Sequence, residues 1–137
     1  MKLKLHHINV VSTNVPALAD FYRSVFDLQP ETTLEAGRVT EQGYDGKVAF
    51  LHDGTTQFHL AEKDLSVGFR TKQIVNPVER GHIAFRTDDI AAFKKRLTEK
   101  GIAYSDYGTW AMQGWHQIFF YDPEGNVIEV HQVREGT

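Results

Sequence analysis

The sequence predicts an α+β fold: two βαβββ modules whose strands join into one open half-barrel sheet around a cleft. Three observations predict it. The chain repeats itself at an offset of 75 residues, with His82 falling on His7 (82 − 7). Each copy holds one amphipathic helix followed by three strand-like runs. Strand alternation then collects polar, chemically active side chains on the face opposite the helices.

The repeat is read by setting His7-Ile8-Asn9-Val10-Val11 over His82-Ile83-Ala84-Phe85-Arg86, where each copy opens with His-Ile and runs into a strand. A helix follows in each. In the first, Val15, Leu18, Tyr22, Val25 and Phe26 recur at helical spacing, with Asn14 as N-cap and Pro16 tolerated in the first turn. In the second, Ile90, Phe93 and Leu97 form the stripe, Asp89 is the cap and Gly101 the stop. The charges Lys94, Lys95, Arg96, Glu99 and Lys100 read as a solvated face. Strands are expected at 31–36, 47–51 and 55–61, and again at 102–107, 116–121 and 126–133. Asp53-Gly54 and Asp122-Pro123-Glu124-Gly125-Asn126 are turn signals between the last two strands of each copy. The modules are placed at 1–62 and 79–137. Residues 63–78 form a connector without clear periodicity.

Alternation assigns the faces. Ile8, Val10, Ile83, Phe85, Phe58, Leu60, Ile128 and Val130 pack under helices, while His7, His82, Gln57, His59, Glu129 and His131 face the cleft. His6, one residue before His7, is expected on the packing or solvent face. Any one histidine alone reads as a surface or hydrogen-bonded core residue. His7 and His82 at equivalent repeat positions, with Glu129 on a third cleft-facing strand, read instead as ligands of a divalent first-row metal ion. A carboxylate buried in a cleft is costly unless it meets a cation or a proton.

Composition narrows the alternatives. Hydrophobic residues at 41% and charged residues at 24% suit a folded globular chain. A net charge of −3 without a basic stripe argues against nucleic acid, and apolar runs of only a few residues against a membrane span. The start Met1-Lys2-Leu3-Lys4-Leu5 lacks an apolar signal core, so no cleaved leader is expected, and a cytoplasmic location is the expectation. With no cysteine, disulfides, thiolate ligands and cysteine nucleophiles are excluded.

These residues carry a resemblance. His7-Ile8, Ala19-Asp20-Phe21-Tyr22, Gly81-His82-Ile83-Ala84-Phe85 and Phe120-Tyr121-Asp122-Pro123-Glu124-Gly125-Asn126-Val127-Ile128-Glu129-Val130 resemble the vicinal oxygen chelate superfamily. That superfamily includes glyoxalase I, extradiol dioxygenases, fosfomycin-resistance thiol transferases and bleomycin-resistance proteins. The resemblance covers nearly the whole chain. It implies His7, His82 and Glu129 as ligands of one divalent ion per site (Fe2+, Mn2+, Ni2+ or Zn2+), and a homodimer. It also implies a small-molecule substrate that chelates the ion through vicinal oxygens, for lyase, isomerase, transferase or ring-cleaving dioxygenase chemistry. The alternative is a metal-free sequestering protein of the bleomycin-resistance type. Glyoxalase I has a fourth ligand, usually glutamate, on the last strand of the first module; aligning 56–60 with 128–132 puts Gln57 there, with His59 two residues on. His59 and His131 are candidate general bases, against a hydrogen-bonding role behind the ligands. Gln57, Tyr107, Trp110, Trp115 and His116 are candidate substrate contacts. The two tryptophans could wall a pocket or form a dimer contact. Arg38, Arg70 and Lys72 are candidates for an anionic substrate, against plain exposure.

Overall fold

The computed structural model describes residues 1–134, so the last three residues assigned to the second module lie outside the described residues. Its strands are β1 (Leu3–Ser12), β2 (Gln29–Pro30), β3 (Val48–His52), β4 (Gln57–Glu62), β5 (His82–Thr87), β6 (Ser105–Thr109), β7 (Trp115–Tyr121) and β8 (Val127–Val133). Its helices are α1 (Val15–Phe26), α2 (Val67–Thr71) and α3 (Ile90–Glu99). The strands form one sheet in the order β2-β3-β4-β1-β5-β8-β7-β6. The two halves of that order mirror each other about the antiparallel β1–β5 seam. Outward from the seam, β1 pairs parallel with β4 as β5 pairs parallel with β8.

Both major helices start where a side chain satisfies the first free N–H groups. Asn14 accepts from Ala17 N at 3.1 Å, and Asp89 from Ala92 N at 3.0 Å. On one flank, Val15 and Leu28 pack with Leu51 and Leu60; on the other, Ile90, Phe93 and Leu97 pack with Ile118 and Val130. Each helix thereby covers the outer face of its own half-sheet, and the inner face is left to the cleft. Leu60 and Ile118 are fully buried, and each such side chain contributes roughly 1.5–3 kcal/mol through removal from water. Tight turns fix the register of the strands that carry site residues. Asp122 Oδ1 accepts from Glu124 N and Asn126 N, both at 2.9 Å, and Gly125 takes φ +82°. Asp53 Oδ1 does the same for Thr55 N and Thr56 N at 2.9 and 2.7 Å.

The seam is held by close backbone contact. A Cβ on Gly81 would lie 2.4 Å from the carbonyl oxygen of Asn9, and Gly81 has φ +83°. Only glycine meets both conditions without displacing a strand.

Four expectations are corrected. The segment 31–36 is not a strand: β2 stops at Pro30, Glu31 turns to cap Thr33, and Glu35–Gly37 is a 3-10 turn. Pro30 removes a ladder donor, which ends the strand early. Val25 and Phe26 lie outside the packed stripe of α1 and are more than half exposed, since the last turn of the helix runs past the cluster around Leu60. The connector contains α2, too short for its periodicity to show in the sequence. The strand expected at 102–107 begins only at Ser105, because Ile102 and Tyr104 turn back onto the α3 cluster. No helix among the described residues is long and apolar enough to cross a membrane.

Candidate metal centre

His7, His82 and Glu129 converge at the base of the cleft. The Nε2 atoms of His7 and His82 lie 3.8 and 3.1 Å from one oxygen, Glu129 Oε1, and all three residues are buried. Donors held about 2.1 Å from a single ion at tetrahedral or octahedral angles sit about 3.0–3.4 Å apart. The His82–Glu129 distance matches that spacing and the His7–Glu129 distance is somewhat wider, whereas the sets whose donor atoms all lie within 4.8 Å of one another are His7, Glu129 and His131, and His6, His7 and His59.

The other nitrogen or oxygen of each group has its own partner. His82 Nδ1 donates to the carbonyl oxygen of Pro77 at 2.7 Å, which can only accept, so Nε2 keeps its lone pair for the cleft. His7 Nδ1 and His6 Nδ1 share one hydrogen at 2.8 Å. Glu129 Oε2 accepts from His131 Nδ1 at 2.6 Å, and His131 Nε2 in turn accepts from Arg86 Nε at 3.0 Å. Burial, with His59 beside it, holds His7 well below the usual imidazole pKa, so it is neutral. Burial opposes the charge on Glu129, but His7 and the hydrogen bond from His131 outweigh it and keep the carboxyl ionised. Neutral imidazole and ionised carboxylate are the forms that bind metal.

His59 lies flat against His7, ring centroids 3.7 Å apart and planes 15° from parallel. Its in-plane lone pair thus runs alongside that of His7 and not toward a shared point. Its Nε2 donates to Gln57 Oε1 at 2.8 Å, and burial pushes its pKa down to about 3. Strand register corrects the alignment that set Gln57 against Glu129. Glu129 stands beside Ala84, two residues past His82, and the residue beside Asn9, two past His7, is His59. The repeat partner of Glu129 is therefore His59, and Gln57 matches Val127.

His6 is likewise corrected. A β-bulge between Leu5 and His7 adds one residue to β1 opposite β5, so His6 leaves the alternation and turns its ring toward the cleft side. There its ring lies 5.1 Å from that of His131 and 5.4 Å from that of Trp115.

The cleft offers a volume of about 70 Å³. Trp110 and Trp115 line it with Phe50, Met112 and Phe119, and Arg38 brings a cation to the lining. The remaining predicted contacts stand elsewhere. Tyr107 packs behind Trp110 and donates to Val75 O at 2.6 Å. His116 is on the opposite face of β7, with Nε2 2.9 Å from Asp106 Oδ1. Gln57 touches the cleft only through His59, Arg70 pairs with Asp64, and Lys72 ends α2 without lining the cleft. Sequence reasoning missed the role of Asn9, whose buried Oδ1 lacks a hydrogen-bond partner among the described residues and lies in the cleft lining. Its place two residues after His7 on the same face was the available signal.

No protein of curated function matches the chain. The fold is similar to that of a hypothetical protein from Bacillus halodurans (TM-score 0.72, 22% identity, covering 100% of this chain and 99% of that one). It is also similar to a methylmalonyl-CoA epimerase in complex with methylmalonyl-CoA and NH4+ (TM-score 0.68, 23% identity, 98% and 97% covered). The epimerase from Mycobacterium tuberculosis is a further neighbour (TM-score 0.67, 18% identity, 96% and 88% covered). The family model for the Glyoxalase/Bleomycin resistance protein/Dioxygenase superfamily matches residues 4–130, and with the mirrored eight-stranded sheet on the page the chain belongs to that superfamily.

Proposed function

We propose that the protein is a divalent-metal-dependent enzyme acting on a small molecule that presents two neighbouring oxygens to the ion. One observation carries the reading: two histidine Nε2 atoms converge on one oxygen of a buried, ionised glutamate while their far sides are occupied by other partners. When bound at this triad, the ion would supply Lewis-acid stabilisation to a developing enolate or alkoxide. The chain's own residues do the rest. Trp110, Phe119 and Met112 exclude water from the substrate body. Asn9 Oδ1 offers an unused acceptor for a donor group of substrate or bound water.

Proton abstraction beside a carbonyl is the favoured chemistry, since the fold neighbours include methylmalonyl-CoA epimerases. In this reading His59 stays neutral beside His7, with its Nε2 hydrogen held by Gln57. His131, with both ring nitrogens engaged, serves the ligand shell.

The test is metal content. Protein purified without chelator and offered Zn2+, Ni2+, Mn2+ or Fe2+ is expected to retain about one ion per chain, and His82→Ala to retain none. A wild-type chain that takes up none of the four while still binding apolar small molecules would establish the sequestering alternative.

A further inference from the structure

Arg86 is half-buried, and no carboxylate lies within ion-pair distance of it among the described residues. Its Nε donates instead to an imidazole lone pair, that of His131 Nε2 at 3.0 Å. The guanidinium carbon also sits 5.1 Å over the ring of Trp115, and that ring stacks on His131 with centroids 4.3 Å apart and planes 22° from parallel. Arg86 and Trp115 therefore hold His131 from its edge and from its face, and His131 itself is fully buried.

A guanidinium can only donate. His131 Nε2 must then carry the lone pair, which leaves the ring hydrogen on Nδ1, the atom 2.6 Å from Glu129 Oε2. With the opposite tautomer two lone pairs would face each other across that distance, and the carboxylate would have to rotate. We propose that Arg86 is a positioning residue: by fixing the tautomer of His131 it pins Glu129 Oε2, so that Oε1 alone faces His7 and His82.

Strand register makes the device specific to one module. Arg86 stands directly beside His131 across β5–β8, and the same two register positions across β1–β4 are occupied by Val11 and Ala61. The repeat has a hydrocarbon pair where this relay sits, so neither residue is required to build the sheet. The first module also needs no such relay, because the residue at the place of Glu129 is a histidine without a second oxygen to restrain.

The inference rests on the metal reading, and two measurements separate their fates. The first is the ring nitrogen–proton NMR pattern of His131 in metal-free protein. Wild type should show Nδ1–H with Nε2 unprotonated, and Arg86→Ala should lose that pattern. The second is Zn2+ affinity by chelator competition. Arg86→Ala should bind about 10- to 100-fold more weakly, the usual effect of removing a partner behind a ligand. Arg86→Lys, which still offers a donor to Nε2, should recover most of both readouts and guards against a merely misfolded variant. A wild-type His131 carrying its hydrogen on Nε2 overturns the proposal outright. Equal Zn2+ affinity in wild type and Arg86→Ala overturns it while leaving the metal reading intact. A wild type that binds no Zn2+ overturns both.

Discussion

The two modules share a frame and differ in chemistry. Around the seam each provides a strand that carries a buried histidine, a capped helix behind it and a matched parallel strand beside it. At equivalent register positions, however, the first module has Asn9, His59, Val11 and Ala61, whereas the second has Ala84, Glu129, Arg86 and His131. The hydrophobic frame answers to packing, which constrains both copies alike. The cleft face is free of that constraint, and there the copies have diverged into a carboxylate side and an imidazole side.

The comparison can be broken first at the frame. Leu60→Ala and Val130→Ala, at equivalent register positions, are both expected to destabilise, by about 3 and about 2 kcal/mol, read from urea unfolding. A large inequality would mean that one half carries the core and the symmetry is only geometric. The cleft face is sharpened next by pH. The folded-state pKa of His59 is depressed to about 3 by burial, against about 6.5 when unfolded. The unfolded chain therefore binds more protons between these values, so stability falls as pH drops below about 6.5 and the loss is complete near 3. At pH 5 this amounts to about 2 kcal/mol in metal-free protein, and His59→Gln should flatten that part of the profile. The smallest effects are the helix caps. Asn14→Ala and Asp89→Ala should each cost about 1 kcal/mol in thermal melts, equally in the two modules.

Much of this frame was legible in the sequence, for physical reasons. His7 and His82 were placed on the cleft face because repeat and alternation agree there, and Glu129 because Ile128 and Val130 set the alternation of β8. What escaped was local departure from period two. His6 was misplaced because a bulge adds a residue to β1, and a bulge leaves no signature in a run of strand-forming side chains. Gln57 was set against Glu129 because the modules differ in loop length, which only hydrogen-bonded register resolves. Arg86 shares the face of His82 and Ala84 by alternation along β5. Its partner His131 lies 45 residues away, a pairing no local pattern contains.

The glycine at the seam has a consequence for how such a site can change. His7 and His82 are carried by strands whose separation is set by main chain against main chain at Gly81 and Asn9, with no side chain between them to be trimmed or enlarged. In coordination terms the bite of the two imidazoles is fixed by the backbone. Substitutions at Arg38, Trp110 or Met112 can reshape what enters the cleft while that bite stays constant. For the proposed site, substrate range and grip on an ion could therefore drift independently, one written in side chains and the other in the peptide itself.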